Sequence, residues 1–381
     1  MDEKIADLEI ADVFRLQQHK LSYISDEKWK VVNAITSCRT AKLGAHVFEC
    51  DYCKHKEISY NSCRDRHCPK CQSLAKMRWI LKRDLELLPV HYFHLVFTIP
   101  DVLKGIIIQN KRVAYELLFK AAAETIKQVA SNPDNLGALT GFFAILHTWE
   151  QKLKFHPHIH CVIPGGGFSA DKTRWIKARK NYFVSVKRLS LVFRGKFLSF
   201  LENAFANKEL TLNAGNNFKQ ILIKSTTNNW VVYAKPPFNG PFWVVRYLSR
   251  YTHRIAISNK RLVSMTEESI TFTWKDRRKG YFTKLETIGV VRFMKRFLNH
   301  VLPKGFVKIR YYGFMGNAHR KDNIYLIRQL LGVKQKIEKV IPNNWKDILL
   351  LFTGEDPTIC TECGKGHLIL IYRDFRLKKA G

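Results

Sequence analysis

The stretch HPHIHCVI at residues 156–163 decides how the fold is read, because histidines alternate there with apolar residues. Successive side chains of a strand point to opposite faces, so His158 and His160 share one face while Ile159 lies on the other. Two neighbouring imidazoles can bind one divalent ion, although buried histidines also occur in protein cores without a metal. The pattern predicts a strand with a candidate metal site, and His156 lies beside it as a supporting residue.

A second apolar segment, over residues 142–151, precedes this strand and predicts a β-hairpin. With a turn centred on residues 154–155, Gln151 lies opposite His158 on the same face. The amide oxygen of Gln151 is then a candidate third metal ligand. His147 shares the face but lies deeper along the same strand.

A second chemical feature follows Pro241, where FWVVRYLSRY at residues 242–251 predicts a helix with the proline in its first turn. Tyr247 and Tyr251 are four residues apart and lie on one helical face, so both hydroxyls can reach one phosphate in succession. Core packing is the other interpretation of such a pair. A parallel stripe offers guanidinium groups for phosphate and favours the catalytic interpretation: Arg246, Arg250 and Arg254.

The cysteines predict a structural zinc site. Cys50 and Cys53 form one pair and Cys68 and Cys71 another, with a loop of 14 residues between the pairs. Two such turns can supply four thiolates to a tetrahedral Zn²⁺ and leave no position for a substrate water. We therefore expect this metal to hold a DNA-contacting knuckle.

Three other cysteines and two histidines leave alternatives open. Cys63 and His67 lie within the same segment, so either could replace a ligand or contribute to a second ion. Cys360 and Cys363 form a half-site, which His367 or distant residues could complete. Cys161 is expected in the core.

Charge indicates the class of partner. The 381 residues contain 64 Lys and Arg against 32 Asp and Glu, a formal net charge of +32 spread along the chain. Such a balance favours nucleic acid over a membrane patch. The sequence shows neither a secretory signal nor a run of about 18 apolar residues. We expect a bacterial cytoplasmic protein associated with the nucleoid, and no membrane partner.

A histidine–hydrophobic–histidine strand followed by paired tyrosines resembles the two-tyrosine class of HUH single-strand endonucleases. More closely, the chain resembles the transposases of the Insertion Sequence 91 family over nearly its whole length. The segments that carry the resemblance are CRT (38–40), NSCRDRHCPKCQ (61–72), HLVFTIP (94–100), HPHIH (156–160), KPP (235–237), YLSRYTHRIAIS (247–258), HVLPKG (300–305) and YGF (312–314). The family pattern has glycine where this chain has Glu150.

The resemblance implies rolling-circle transposition. Tyr247 or Tyr251 would attack a phosphate at single-stranded element ends, leaving a 5′-phosphotyrosine and a free 3′-OH. The cofactors implied are Mg²⁺ or Mn²⁺ for catalysis and Zn²⁺ for structure, with no small-molecule substrate.

The resemblance also implies an α+β fold in which a central antiparallel sheet carries the histidines and is flanked by helices. We expect a helical, zinc-binding and DNA-contacting domain at 1–88, an HUH-type catalytic domain at 89–315, and a basic C-terminal region at 316–381. Two alternatives remain: a plasmid replication initiator or relaxase of the same chemistry, and a non-catalytic zinc-ribbon protein that binds nucleic acid.

Overall fold

The protein is described by a computed structural model that covers residues 8–215, 217–227, 230–235, 256–276, 280, 282–333 and 341–374. The predicted tyrosine helix lies outside these described residues. With it lie five of the predicted site residues: Tyr247, Tyr251, Arg246, Arg250 and Arg254.

The α-helices of the described residues are α1 (Ile10–Gln17), α2 (Asp26–Ser37), α3 (Gln72–Asp84), α4 (Lys104–Gln109), α5 (Lys111–Ser131), α6 (Val186–Ala206), α7 (Phe218–Thr227), α8 (Val290–Leu298), α9 (Arg320–Leu330) and α10 (Trp345–Thr353). The strands are β1 (Ala45–Cys50), β2 (Lys56–Tyr60), β3 (Tyr92–Thr98), β4 (Phe142–Trp149), β5 (Phe155–Pro164), β6 (Gly166–Phe168), β7 (Trp175–Lys177), β8 (Val232–Lys235), β9 (Leu262–Met265), β10 (Ser269–Asp276), β11 (Phe282–Gly289), β12 (Ile309–Tyr312) and β13 (Leu368–Arg373).

A five-stranded sheet with the order β12-β4-β5-β3-β8 forms the centre of the fold, and each neighbouring pair is antiparallel. The strand with the alternating histidines, β5, is the middle strand. Helices flank this sheet, so the predicted α+β class with a central antiparallel sheet is confirmed.

Alternation along the strands divides the central sheet into two different faces. One face carries apolar side chains such as Leu95, Ile159 and Cys161, which pack in one buried core with α5 and α6. The opposite face carries the histidines of β5. The helices cover the apolar face and exclude water from it. This packing fixes the sheet in place, and the histidines lie on its other face.

A second core joins distant parts of the chain. The apolar faces of α1 and α2 pack with β10 and α8, and Phe14 meets Phe297 edge to face at 5.6 Å between ring centroids. Residues from both sides of the boundary expected after residue 88 thus share one core. None of the described helices is both long and apolar enough to cross a membrane.

Candidate metal centre

Three histidines converge on the polar face of the central sheet. The register of β4 and β5 sets His147 opposite His158, and His160 follows two residues along β5. One ligand atom from each of the three lies within 4.8 Å of the others. The three side chains are only 6–8% exposed, so protein rather than water surrounds them.

Hydrogen bonds orient these rings. Nδ1 of His158 lies 2.7 Å from the carbonyl oxygen of His156. A carbonyl only accepts, so Nδ1 carries the proton and Nε2 remains for a metal. That Nε2 lies 2.9 Å from Nδ1 of His147.

His94, on β3, orients the third ring. Its Nε2 lies 2.8 Å from Nδ1 of His160, and the two rings stack with an interplanar angle of 6°. His94 is itself 1% exposed. Contacts of this kind fix ring orientation at metal sites and support the ligands from outside.

Burial favours the neutral form of His147. Burial, together with the nearby His158 and His160, lowers the pKa of His147 well below its usual range. A neutral imidazole has a lone pair to donate. Three converging nitrogen donors therefore fit a divalent metal ion, and a three-ligand set leaves coordination positions open.

Gln151 does not join this group, and its predicted position opposite His158 is wrong. The turn between β4 and β5 lies earlier than expected, so His147 is the residue opposite His158. Gln151 lies in the turn, where its side-chain oxygen accepts a hydrogen bond from the backbone of Lys275 at 3.4 Å. His147 and His158 share one face of the sheet, as predicted.

The turn is held from the second core. His300 is buried, and its ring contacts the carbonyl of Leu153 through Nε2 at 3.1 Å and the hydroxyl of Thr148 through Nδ1 at 3.2 Å. Burial lowers the pKa of His300 to about 3. Arg296 donates to the carbonyl of Lys152 at 3.0 Å. These bonds fix the end of the hairpin that carries the metal centre.

One cysteine cluster lies between the C-terminal end of α2 and the N-terminal end of α3. It contains Cys38, Cys63, Cys68 and Cys71, whose sulfur atoms all lie within 4.8 Å of one another. His67 is excluded from it, because its Nε2 accepts from the backbone of Leu302 at 3.1 Å.

The other predicted zinc ligands lie elsewhere, so the expected grouping of Cys50 and Cys53 with Cys68 and Cys71 is wrong. Cys50 and Cys53 instead cluster with Cys360 and Cys363. The physical reason is local: Cys53 follows the end of β1 in a hairpin turn, whereas Cys71 caps the start of α3. The two turns therefore face different parts of the molecule.

Comparisons with known proteins agree with this layout. The family model described as "Transposase zinc-binding domain" matches residues 10–99, and the one described as "Putative transposase" matches residues 141–323. The first range contains the whole Cys38 cluster, and the second contains all three converging histidines. These matches support structural zinc in the N-terminal part of the chain.

Two relatives match most of the chain. "Putative transposase y4qJ" of Sinorhizobium fredii (strain NBRC 101917 / NGR234) is 47% identical over 378 residues, which cover 95% of this chain and 94% of that protein. "Transposase for insertion sequence element IS801" of Pseudomonas savastanoi pv. phaseolicola is 25% identical over 358 residues, which cover 90% of this chain and 83% of that protein. The class that fold and comparisons define is a transposase, whose partner is DNA. The chain belongs to the Insertion Sequence 91 family of transposases.

Sequence reasoning missed two contributors to the histidine centre. The sequence places His147 on the correct face. Because the turn was predicted two residues too late, His147 was expected further along the strand than the position opposite His158. His94 opens the segment HLVFTIP, and only the pairing of β3 with β5 brings it to His160. The available signal was the alternation along β3, which places His94 on the face opposite the core residues Phe93 and Leu95.

Proposed function

We propose that this transposase nicks and joins single-stranded DNA by rolling-circle chemistry, through a 5′-phosphotyrosine intermediate. The observation that carries the proposal is the group of three buried histidines, with ligand atoms within 4.8 Å of one another. A non-catalytic zinc-ribbon protein gains nothing from such a group, which costs burial of polar rings.

The proposed catalytic metal is Mg²⁺ or Mn²⁺, held by His147, His158 and His160. When bound, such an ion polarises a phosphate and stabilises the negative charge that develops on it. An all-imidazole set favours Mn²⁺ over Mg²⁺, because Mg²⁺ prefers oxygen ligands. His94 and the carbonyl of His156 hold the rings in position for this task.

The proposed nucleophiles are Tyr247 and Tyr251, and the argument for them is their spacing in the sequence. A phenol with an ordinary pKa near 10 needs help to lose its proton, which a nearby divalent charge provides. One tyrosine would hold the 5′ end while the second attacks, so the DNA is not released between cleavage and joining. Arg246, Arg250 and Arg254 would contact neighbouring phosphates.

A basic groove beside α8 supports a DNA path towards this centre. The groove is lined by Arg292, Lys295 and Arg296, together with residues 287–289 at the end of β11. Arg296 also holds the carbonyl of Lys152 in the hairpin turn, which connects the groove to the strands of the metal centre. The single-stranded element ends of a mobile sequence are the proposed substrate, in the bacterial nucleoid.

We further propose a division of labour along the chain. Residues 1–88 would contact DNA through the zinc-held segment, and 89–315 would carry out cleavage and joining. The shared core of α1, α2, β10 and α8 would then keep the two activities in a fixed relation.

The test is cleavage of labelled single-stranded oligonucleotides that carry candidate element ends. We expect nicking in Mn²⁺ and none in EDTA, and no nicking of the same sequence as a perfect duplex. Tyr247→Phe and Tyr251→Phe should each retain a different subset of the cleavage and joining steps. Full activity in either single variant would reduce the mechanism to one nucleophile, and nicking in EDTA would overturn the role of the metal.

A further inference from the structure

We propose that Cys50, Cys53, Cys360 and Cys363 form a second zinc site, which fastens the C-terminal segment to the N-terminal zinc-binding region. The sulfur atoms of Cys50 and Cys363 lie 3.8 Å apart, and those of Cys53 and Cys360 lie 3.7 Å apart. Tetrahedral zinc with bonds of about 2.3 Å requires thiolates about 3.8 Å apart. Both distances match this spacing, and all four sulfur atoms lie within 4.8 Å of one another.

The two turns that supply these thiolates share one backbone conformation. In the first, the amide of Lys54 donates to the carbonyl of Cys50, and in the second the amide of Gly364 donates to the carbonyl of Cys360. Lys54 and Gly364 are both left-handed, with φ of 59° and 63°. Backbone amides also point at sulfur in both turns: Cys53 to Cys50 at 3.5 Å, and Gly366 to Cys363 at 3.4 Å. Such N–H groups stabilise thiolate charge.

The backbone around the site also joins the N-terminal and C-terminal segments. β13 pairs with β1, so the C-terminal strand completes the sheet β13-β1-β2. Asp51 and His367 exchange two hydrogen bonds across the junction, at 3.0 and 2.7 Å. His367 connects the two segments through these bonds and is not part of the four-cysteine cluster. Its ring Nδ1 lies 3.0 Å from the hydroxyl of Thr358.

Gly366 shows how closely the two turns approach. A Cβ atom at this position would lie 2.5 Å from the sulfur of Cys50 and 2.6 Å from the side chain of Asp51. No real side chain tolerates such distances, so only glycine lets the second turn close over the first. The ligand spacing and this contact are independent observations of the same junction.

This site is distinct from the zinc site that the family match supports. Residues 10–99 contain the complete Cys38 cluster but only half of this one. Four thiolates fill a tetrahedral ion, so the second metal is structural. Its role is to make residues 358–374 part of the N-terminal unit.

The first experiment counts zinc in the full-length protein by elemental mass spectrometry. Because the histidine centre could also bind zinc, the measured quantity is the difference between variants. Cys360→Ser with Cys363→Ser should lose one zinc per chain, whereas Cys161→Ala, which removes a cysteine outside both clusters, should lose none. Gly366→Ala keeps all four thiolates and should release zinc to a chelator at least about tenfold faster. Unchanged zinc content in the double variant would overturn the proposal.

A second experiment needs no variant and so does not depend on how well the variants fold. The native protein is alkylated with and without prior chelation, and each cysteine is followed by peptide mass spectrometry. Cys53 is exposed, so burial cannot protect it and a bound metal can. We expect Cys53 and Cys363 to be protected in the zinc-loaded protein and to become reactive together after chelation. Equal reactivity of both in the two states would contradict the second site.

Discussion

The histidine centre and the cysteine clusters are assembled in opposite ways. The hydrogen-bonded pair His147 and His158 is separated by 11 positions, within one hairpin. The pair Cys38 and Cys71 spans 33 positions, and Cys50 and Cys363 span 313. The first arrangement follows from strand alternation and one turn, whereas the second needs the whole tertiary fold. Ligands that alternate on one strand could therefore be predicted from sequence, whereas the grouping of cysteines far apart along the chain could not.

The two kinds of site also differ in what they can do. Three imidazoles leave coordination positions for a phosphate, while four thiolates leave none. Loss of metal should therefore stop chemistry at the histidine centre and weaken structure at the cysteine clusters.

Removing the two β5 ligands should abolish cleavage without unfolding the protein. For His158→Ala with His160→Ala we expect a loss of nicking rate on the order of 10²–10³-fold or more, because charge on the phosphate is no longer stabilised. Affinity for single-stranded DNA should stay within a few-fold, since basic residues supply it. Cys161→Ala, on the opposite face of the same strand, is the matched control. Loss of folded structure in the double variant would assign these histidines a structural role.

His147 and Gln151 separate the observed centre from the predicted one. His147→Ala should lower nicking on the order of 10²-fold, as expected for loss of a metal contact. Gln151→Ala should change it by less than about threefold, since the Gln151 side chain accepts from the backbone of Lys275 in β10 and does not join the three histidines. The measurement is single-turnover nicking at fixed Mn²⁺. The reverse order of effects would restore Gln151 as the ligand.

His94 is predicted to act through His160 and not on DNA. His94→Ala should raise the Mn²⁺ concentration for half-maximal nicking by about 10–100-fold, while the rate at saturating Mn²⁺ recovers. His94→Gln, which retains a hydrogen-bonding group, should restore part of the metal affinity. A lower rate that persists at saturating metal would show that His94 does more than position a ligand.

His300 should make stability sensitive to acid. Its pKa is about 3 in the folded protein because of burial, against an ordinary value of 6.5. Between these values the unfolded state binds the extra proton, so stability falls as pH falls. The slope is at most about 1.4 kcal/mol per pH unit, or about 2 kcal/mol between pH 6.5 and 5.

Denaturant unfolding at the two pH values measures this effect, with His300→Gln as the comparison variant. The variant should lose less stability than the parent chain on acidification. Equal losses of stability would mean that His300 binds a proton as readily in the folded state as in the unfolded state.

Much of the local structure was predictable. The apolar segment expected to form a strand over 142–151 is β4, and the strand expected from the alternating histidines at 156–163 lies within β5. Alternation also gave the correct face for His147, His158 and His160. These features depend on residues close in sequence, where periodicity is a physical constraint.

The failures share a cause. The sequence specifies the position of a turn only weakly. The turn is centred two residues earlier than predicted, so His147 and not Gln151 lies opposite His158. The cysteine spacing suggested one site because two pairs stood close in sequence. Nothing local indicated that Cys53 faces residues 360–363 or that Cys38, directly after α2, completes the other cluster.

The most direct test of the central claim is to look for the covalent intermediate. The protein is incubated with single-stranded DNA that carries verified element ends, in Mn²⁺ or EDTA, and tryptic peptides are sequenced by mass spectrometry. We predict a DNA adduct on the peptide containing Tyr247 or Tyr251, present in Mn²⁺ and absent both in EDTA and in His147→Ala. Tight binding without any adduct, or an adduct on another residue, would contradict a tyrosine nuclease built on the three-histidine centre.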